Sequence, residues 1–170
     1  MIVHLEDDNL FTSIRMSISK QLALHIRQVH TGGNWTASNL KDALDGVTWR
    51  QAVEKRDDRN SIAVVLYHMH YYVKAIAKVM EGGPLDASDR FSFDLPAIAS
   101  DAEWDGLKSS AFSDAERLAG LVEDLSDEQL LAAFDDGKYG NVLRNILGLI
   151  EHTHYHLGQI VLLRKDVSIE

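Results

Sequence analysis

NVLRNILGLIEHTHYHLGQIVLLRK, residues 141–165, decides the fold, because the two regular periodicities place its histidines differently. In a strand, alternate residues point the same way, so His152, His154 and His156 would share one face. In a helix each residue turns ~100°. With Leu149 at the centre of the buried face, His156 then falls about 20° and His152 about 60° away, while His154 lies about 140° away. Leu143, Leu147, Ile150, Leu157 and Val161 recur around the histidines at helical spacing, and this selects the helix. One long helix from Asn141 to near Lys165 is expected. It carries His152 and His156 one turn apart on its inner side, a reach suited to chelating one divalent ion at ~2.0–2.1 Å per nitrogen.

Outward from this helix the same spacing persists. A first helix is expected from Asp7 or Asp8 to just before Thr31-Gly32-Gly33, burying Leu10, Ile14, Ile18, Leu22 and Ile26. A short helical piece follows from Ala37 to Leu44, with a turn at Gly46. The second long helix is capped by Asn60 or Ser61 and repeats Ile62, Leu66, Met69, Val73 and Ile76. It stops at Gly82-Gly83-Pro84. The third runs from Ser100 to about Asp124, opened by the capping box Ser100-Asp-Ala-Glu103, and Ser126-Asp-Glu-Gln129 opens a short helix in the same way. Both prolines, Pro84 and Pro96, lie in the segment 82–100, a connection long enough to cross a bundle. The expected fold is all-α: a four-helix bundle with a long crossover between helices 2 and 3, in one domain spanning residues 1–170.

Composition narrows the chemistry. A chain of 170 residues, 45% of them hydrophobic, buries roughly 70% of its unfolded surface, so it needs no metal merely to fold. A net charge of −9 without a basic run speaks against nucleic acid and anionic membranes as partners. No uncharged apolar stretch approaches the ~18 residues of a membrane span, and the N-terminal residues lack the pattern of a secretory signal. With no Cys, strong metal ligands must be His, Asp or Glu, and a cytoplasmic location is expected.

Five of the eight histidines fall in two clusters, 67-YHMH-70 and 152-HTHYH-156. His68 and His70 lie about 100° either side of Met69, so periodicity does not choose between them. Either one facing the His152/His156 pair across the bundle completes three nitrogen ligands with a further position open, which is catalytic rather than structural geometry. A zinc protease is rejected, because the Glu between two such histidines is missing and Glu151 precedes them, pointing outward. A ferritin-like di-iron site is rejected for want of Glu-x-x-His repeats.

His156-Leu-Gly-Gln-Ile160 preceded by Glu151-His152, with His68 in a second helix, resembles the DinB/YfiT-like superfamily of four-helix bundles. The likeness extends to Gly33-Asn-Trp35-Thr, Tyr67-His-Met-His-Tyr-Tyr72, Phe91-Ser-Phe-Asp94 and Lys138-Tyr-Gly-Asn141. The resemblance implies a divalent metal, zinc or nickel, held by His68, His152 and His156. It thereby selects His68 over His70, which becomes a supporting or surface group. Some similar proteins conjugate a low-molecular-weight thiol to electrophiles and others are metal-dependent hydrolases.

The expected function is accordingly a metal-dependent enzyme that activates a small thiol or water against a small electrophilic substrate. A thiol would come from a soluble cofactor such as bacillithiol or glutathione. The alternative is a non-enzymatic metal-binding or stress-associated dimeric bundle. Tyr72 and Gln159 are placed to orient a ligand near the metal, whereas Trp35, Trp49 and Trp104 are read as core or helix-junction residues. Leu143, Leu147, Ile150, Leu157 and Val161 form a second apolar stripe of the last helix, about 100° from the first and with His154 along it, and this suggests a homodimer interface.

Overall fold

Helix boundaries in the computed structural model, which describes residues 16–167, follow from local capping chemistry. α1 (Ile18–Thr31) opens where the Ser17 side chain accepts from Lys20 N, and it ends at Gly32, whose φ of +111° few other residues adopt. The expected start near Asp7 or Asp8, with Leu10 and Ile14, lies outside the described residues. Ile18 is a correction: as the first helical residue it is 51% exposed, while Leu22 and Ile26 are buried as expected.

α2 (Leu40–Leu44) is shorter than the expected 37–44 because Ala37 takes a φ of +51°, outside the helical region, and Asn39 is the cap. α3 (Trp49–Val53) is an element that periodicity passed over. Its signal was nonetheless present, since Thr48 and Gln51 form a reciprocal capping box. α4 (Ile62–Met80) is capped by Ser61, and all five expected apolar positions are buried. Its end is closed by Gly82 N–H to Val79 O and Gly83 N–H to Lys78 O, the paired bonds of a Schellman motif.

α5 (Asp101–Glu123) uses Ser100 as its cap: Ser100 Oγ accepts from Glu103 N–H, and the Glu103 carboxylate reaches back to accept from the N–H of Ala99 and the Ser100 hydroxyl. α6 (Asp127–Leu131) has the expected capping box, and Asn141 Oδ1 accepts from Arg144 N at the start of α7 (Val142–Val167). The chain is all-helical in its described residues, without a named strand. No described helix is long and apolar enough to cross a membrane.

Four long helices pack on one another: α1 against α5 and α7, and α4 against the same two. The core has two parts. One gathers Leu66, Met69, Trp104, Leu157 and Ile160; the other gathers Ile26, Val73, Leu118, Ile146 and Leu149. α4 and α5 pass through these parts in the same order and α7 in the reverse order. The connection between α4 and α5 must therefore return along the length of α4, about 28 Å at 1.5 Å per residue. It does so as a strap with one 3₁₀ turn (Asp89–Phe91). The strap is pinned to α4 by Ser88 N–H to Tyr71 Oη (2.8 Å), Tyr72 Oη to Asp89 (2.7 Å) and the Lys78–Asp86 ion pair.

Trp104 is core, as expected, and its Nε1 donates to Val47 O at 2.8 Å; Trp49 is half-buried against the same cluster. Trp35 is a correction. It is 96% exposed, on a loop whose shape is set by Asn34, whose amide bonds Gln28 O and Ser38 O and so leaves the next side chain pointing outward.

Candidate metal centre

α4 and α7 pack together so that His68, His152 and His156 meet, with ligand nitrogens all within 4.8 Å of one another. His68 and His156 are buried and His152 half-buried. Nε2 of His68 lies 3.1 Å from Nε2 of His152, and the His156 ring centroid is 4.6 Å from that of His68 and 4.4 Å from that of His152. Two nitrogens bound to one ion at ~2.0–2.1 Å stand about 2.9–3.4 Å apart, so the observed separation fits a shared cation.

Neighbouring groups orient the rings. Ser92 Oγ donates to Asp89 O (2.8 Å) and is thereby left to accept from Nδ1–H of His68 at 2.9 Å. Gln159 Oε1 accepts from Nδ1–H of His156 at 2.8 Å. With those protons on Nδ1, both Nε2 atoms present lone pairs to the interior, the tautomer that metal-bound histidines adopt. Phe93 stacks on His68 with centroids 4.0 Å apart, and Tyr72 sets its ring edge-on to both His68 and His152. Nδ1 of His152 is buried without a partner.

Two of the crowded imidazoles, His152 and His68, resist protonation. Burial, then the neighbouring His156 and His68, push His152 down to about 4, and burial followed by His156 lowers His68. Neutral rings are what a cation needs. Burial first, and then the bond to Asp89, push the Tyr72 hydroxyl up to about 12, so it remains a proton donor. The residues present therefore fit a divalent ion: three ring nitrogens converge and two of the rings are held by oxygen acceptors.

The structure separates His68 from His70 as periodicity alone could not. His70 turns away from the triad into the gap between the two core parts, where its Nε2 lies 3.2 Å from Asp114 of α5. His154 bonds the Ile150 carbonyl of its own helix at 3.1 Å and takes no part in the triad. Glu151 is exposed, as expected, yet it lines the same cavity as His152.

That cavity, about 750 Å³, runs along α7 and is bordered by His68, Tyr72, Asp89 and His152 at one end. Another, about 790 Å³, lies between α4, α5 and the strap; it touches His70 but none of the triad. Ser92 and Asp89 stand beside the triad in a role that sequence reasoning did not give them, although Ser92 lies in the quoted stretch Phe91-Ser-Phe-Asp94. They stand 24 and 21 residues from His68 in a connection with no periodicity to read, and only folding of the strap onto α4 brings them there.

The chain matches no family model, no curated protein and no solved structure.

Proposed function

We propose that this chain is a metal-dependent enzyme of the DinB/YfiT-like four-helix-bundle kind, with His68, His152 and His156 holding one divalent ion, zinc or nickel. The observation that carries the reading is the convergence of imidazoles from α4 and α7, with two Nε2 atoms 3.1 Å apart and two of the three rings oriented through Nδ1. The reaction is attack by a small thiol or by water on a small electrophile, as in a thiol S-transferase or a hydrolase.

Bound there, a divalent ion supplies a nucleophile at neutral pH, lowering the pKa of water towards ~7 or holding a thiol as its thiolate. The chain itself has no Cys, so sulfur must come from a soluble thiol. Around the triad, Ser92 and Gln159 keep the ring tautomers, while Phe93 and Tyr72 restrict the access of water to His68. Asp89, which accepts from the Tyr72 hydroxyl, and Glu151 are the carboxylates lining that end of the cavity, and they are the groups placed to take a released proton.

Elemental analysis of protein purified without a His tag or a nickel column tests the site. One equivalent of metal is expected, lost in both His68→Ala and His152→Ala; full metal content in either variant refutes the triad. A thiol-conjugation and esterase screen of metal-loaded protein tests the reaction. Metal-dependent turnover abolished in His156→Ala is expected, and its absence across both reaction classes would favour a non-enzymatic metal-binding protein.

A further inference from the structure

The cavity that borders the triad extends far beyond it. It follows α7 back from His152 to Arg144, eight residues and about 12 Å along the helix axis. Its two ends differ in charge. At the histidine end stand Asp89 and Glu151; at the other stand Arg144 with Asn141 and Asn145.

Arg144 is held in place but not neutralised. Its side chain packs over Gly140, where a Cβ would come within 3.1 Å of its Cδ, and one guanidinium nitrogen donates to Tyr139 O at 2.8 Å. Arg27, Arg59 and Arg117 each pair with a carboxylate, whereas Arg144 has no acidic partner among the described residues. In a chain with 26 acidic residues against 17 Lys and Arg, an anchored arginine at a cavity end that has no carboxylate of its own is poised for an external one.

Between the two ends the wall is apolar, with Ile76 from α4 and Leu147 from α7, and the floor is Gly148. Glycine is the least favourable helix-interior residue short of proline. Nothing in the packing requires it here, because a Cβ at position 148 would meet no atom within 4 Å. Its effect is to leave open the path between the guanidinium and the histidines.

We propose that this cleft binds an elongated organic acid whose carboxylate is held by Arg144 and whose apolar body crosses Gly148, placing its reactive far end at the histidine triad. The negative charges of Asp89 and Glu151 at the triad end fix the polarity, since they repel the carboxylate from that end. The inference rests on the metal reading above for what happens at the far end, and it names the substrate class.

Cobalt-loaded protein titrated with ω-mercaptocarboxylates of increasing length, from mercaptopropionate through mercaptohexanoate and mercaptooctanoate to mercaptoundecanoate, tests it. The matching mercaptoalcohols serve as uncharged controls, and binding is read from the thiolate-to-cobalt absorption. At the length that spans the cleft, the acid should bind about tenfold more tightly than the alcohol. Arg144→Gln should abolish that advantage and leave the alcohol's affinity unchanged. Gly148→Leu should weaken both long ligands while sparing mercaptoethanol. Equal affinity of acid and alcohol at every length, or an advantage that survives Arg144→Gln, overturns the proposal.

Octanoate, which has no sulfur, separates the two readings. Calorimetric binding to metal-free protein, lost in Arg144→Gln, supports the cleft even if cobalt never enters and the metal reading fails. Absence of octanoate binding together with failure of cobalt to bind overturns both.

Discussion

At the scale of single residues, the site depends on where protons sit. Ser92 can serve His68 only because its own hydroxyl hydrogen is committed to the Asp89 carbonyl, which leaves the oxygen free to accept from the imidazole. Removing it in Ser92→Ala leaves a buried N–H without an acceptor, at a cost of about 1–3 kcal/mol, and frees the ring to choose the wrong tautomer. Metal affinity should fall about 10–100-fold with the triad itself intact. Competition against a chromogenic chelator measures this, and unchanged affinity would show that Ser92 does not orient His68. The triad was legible in sequence because two of its members are an i, i+4 pair on a helix. The contact of Ser92 with His68 was not legible, since a serine in an aperiodic connection carries no mark of the histidine it will meet.

Among elements, the strongest sequence signals were those repeated over many turns. α4 and α7 emerge with their buried faces because a face of about five to seven turns must be apolar to offset the entropy of ordering it. α3, at five residues, has no repeat and announced itself only by the Thr48/Gln51 capping box. Its place is secured from a distance, by Trp104 of α5 donating to the Val47 carbonyl just before it. Trp104→Phe keeps most of the buried volume but orphans that carbonyl, so a loss of about 1–3 kcal/mol is expected. Urea unfolding should show a lower midpoint at unchanged slope. A loss below a few tenths would mean that water replaces the indole at that carbonyl.

For the whole molecule, the polar gap between the two core parts predicts how stability responds to acid. Burial, against the opposing pull of Asp114, drives His70 down to about 4, with Lys74 and His30 adding to the fall; His30 is itself lowered by burial. Both folded values lie below the ~6.5 of a free imidazole, so the unfolded chain takes up protons first as pH falls. The His70 contribution is therefore complete above pH ~6.5 and is lost on the way down to about 4, and that of His30 is lost in the same direction. A decline of order 1–3 kcal/mol is expected across that window, with a shallower slope in His70→Phe. Denaturant titrations at a series of pH values would read it, and a flat profile between pH ~6.5 and ~5 contradicts the assignment.

The outer face of α7 bears on assembly. Leu157 of the second apolar stripe is buried within the chain, and Leu143, Ile150 and Val161 are partly covered. Tyr155 and Leu162 stay exposed at 65% and 61%, about two turns apart on one side, away from the cleft wall of Leu147. We propose that this side joins two copies about a two-fold axis. Sedimentation should give twice the protomer mass at micromolar concentration and a monomer in Leu162→Glu. A monomeric wild type rejects it.

What the sequence determined alone is the helical character of the chain, the ends of most of its helices and the inward His152/His156 pair. Each follows from interactions within a few residues: side-chain periodicity, caps and the geometry of one turn. Resemblance named His68 as the third member; what only the tertiary structure decided is that its ring meets the pair while His70 turns to Asp114, that the strap brings Ser92 and Phe93 against it, and that a cleft joins the triad to Arg144. Those outcomes depend on how helices far apart in the chain rotate and slide against one another. That choice is made by the packing of the core as a whole, and no local stretch of sequence encodes it.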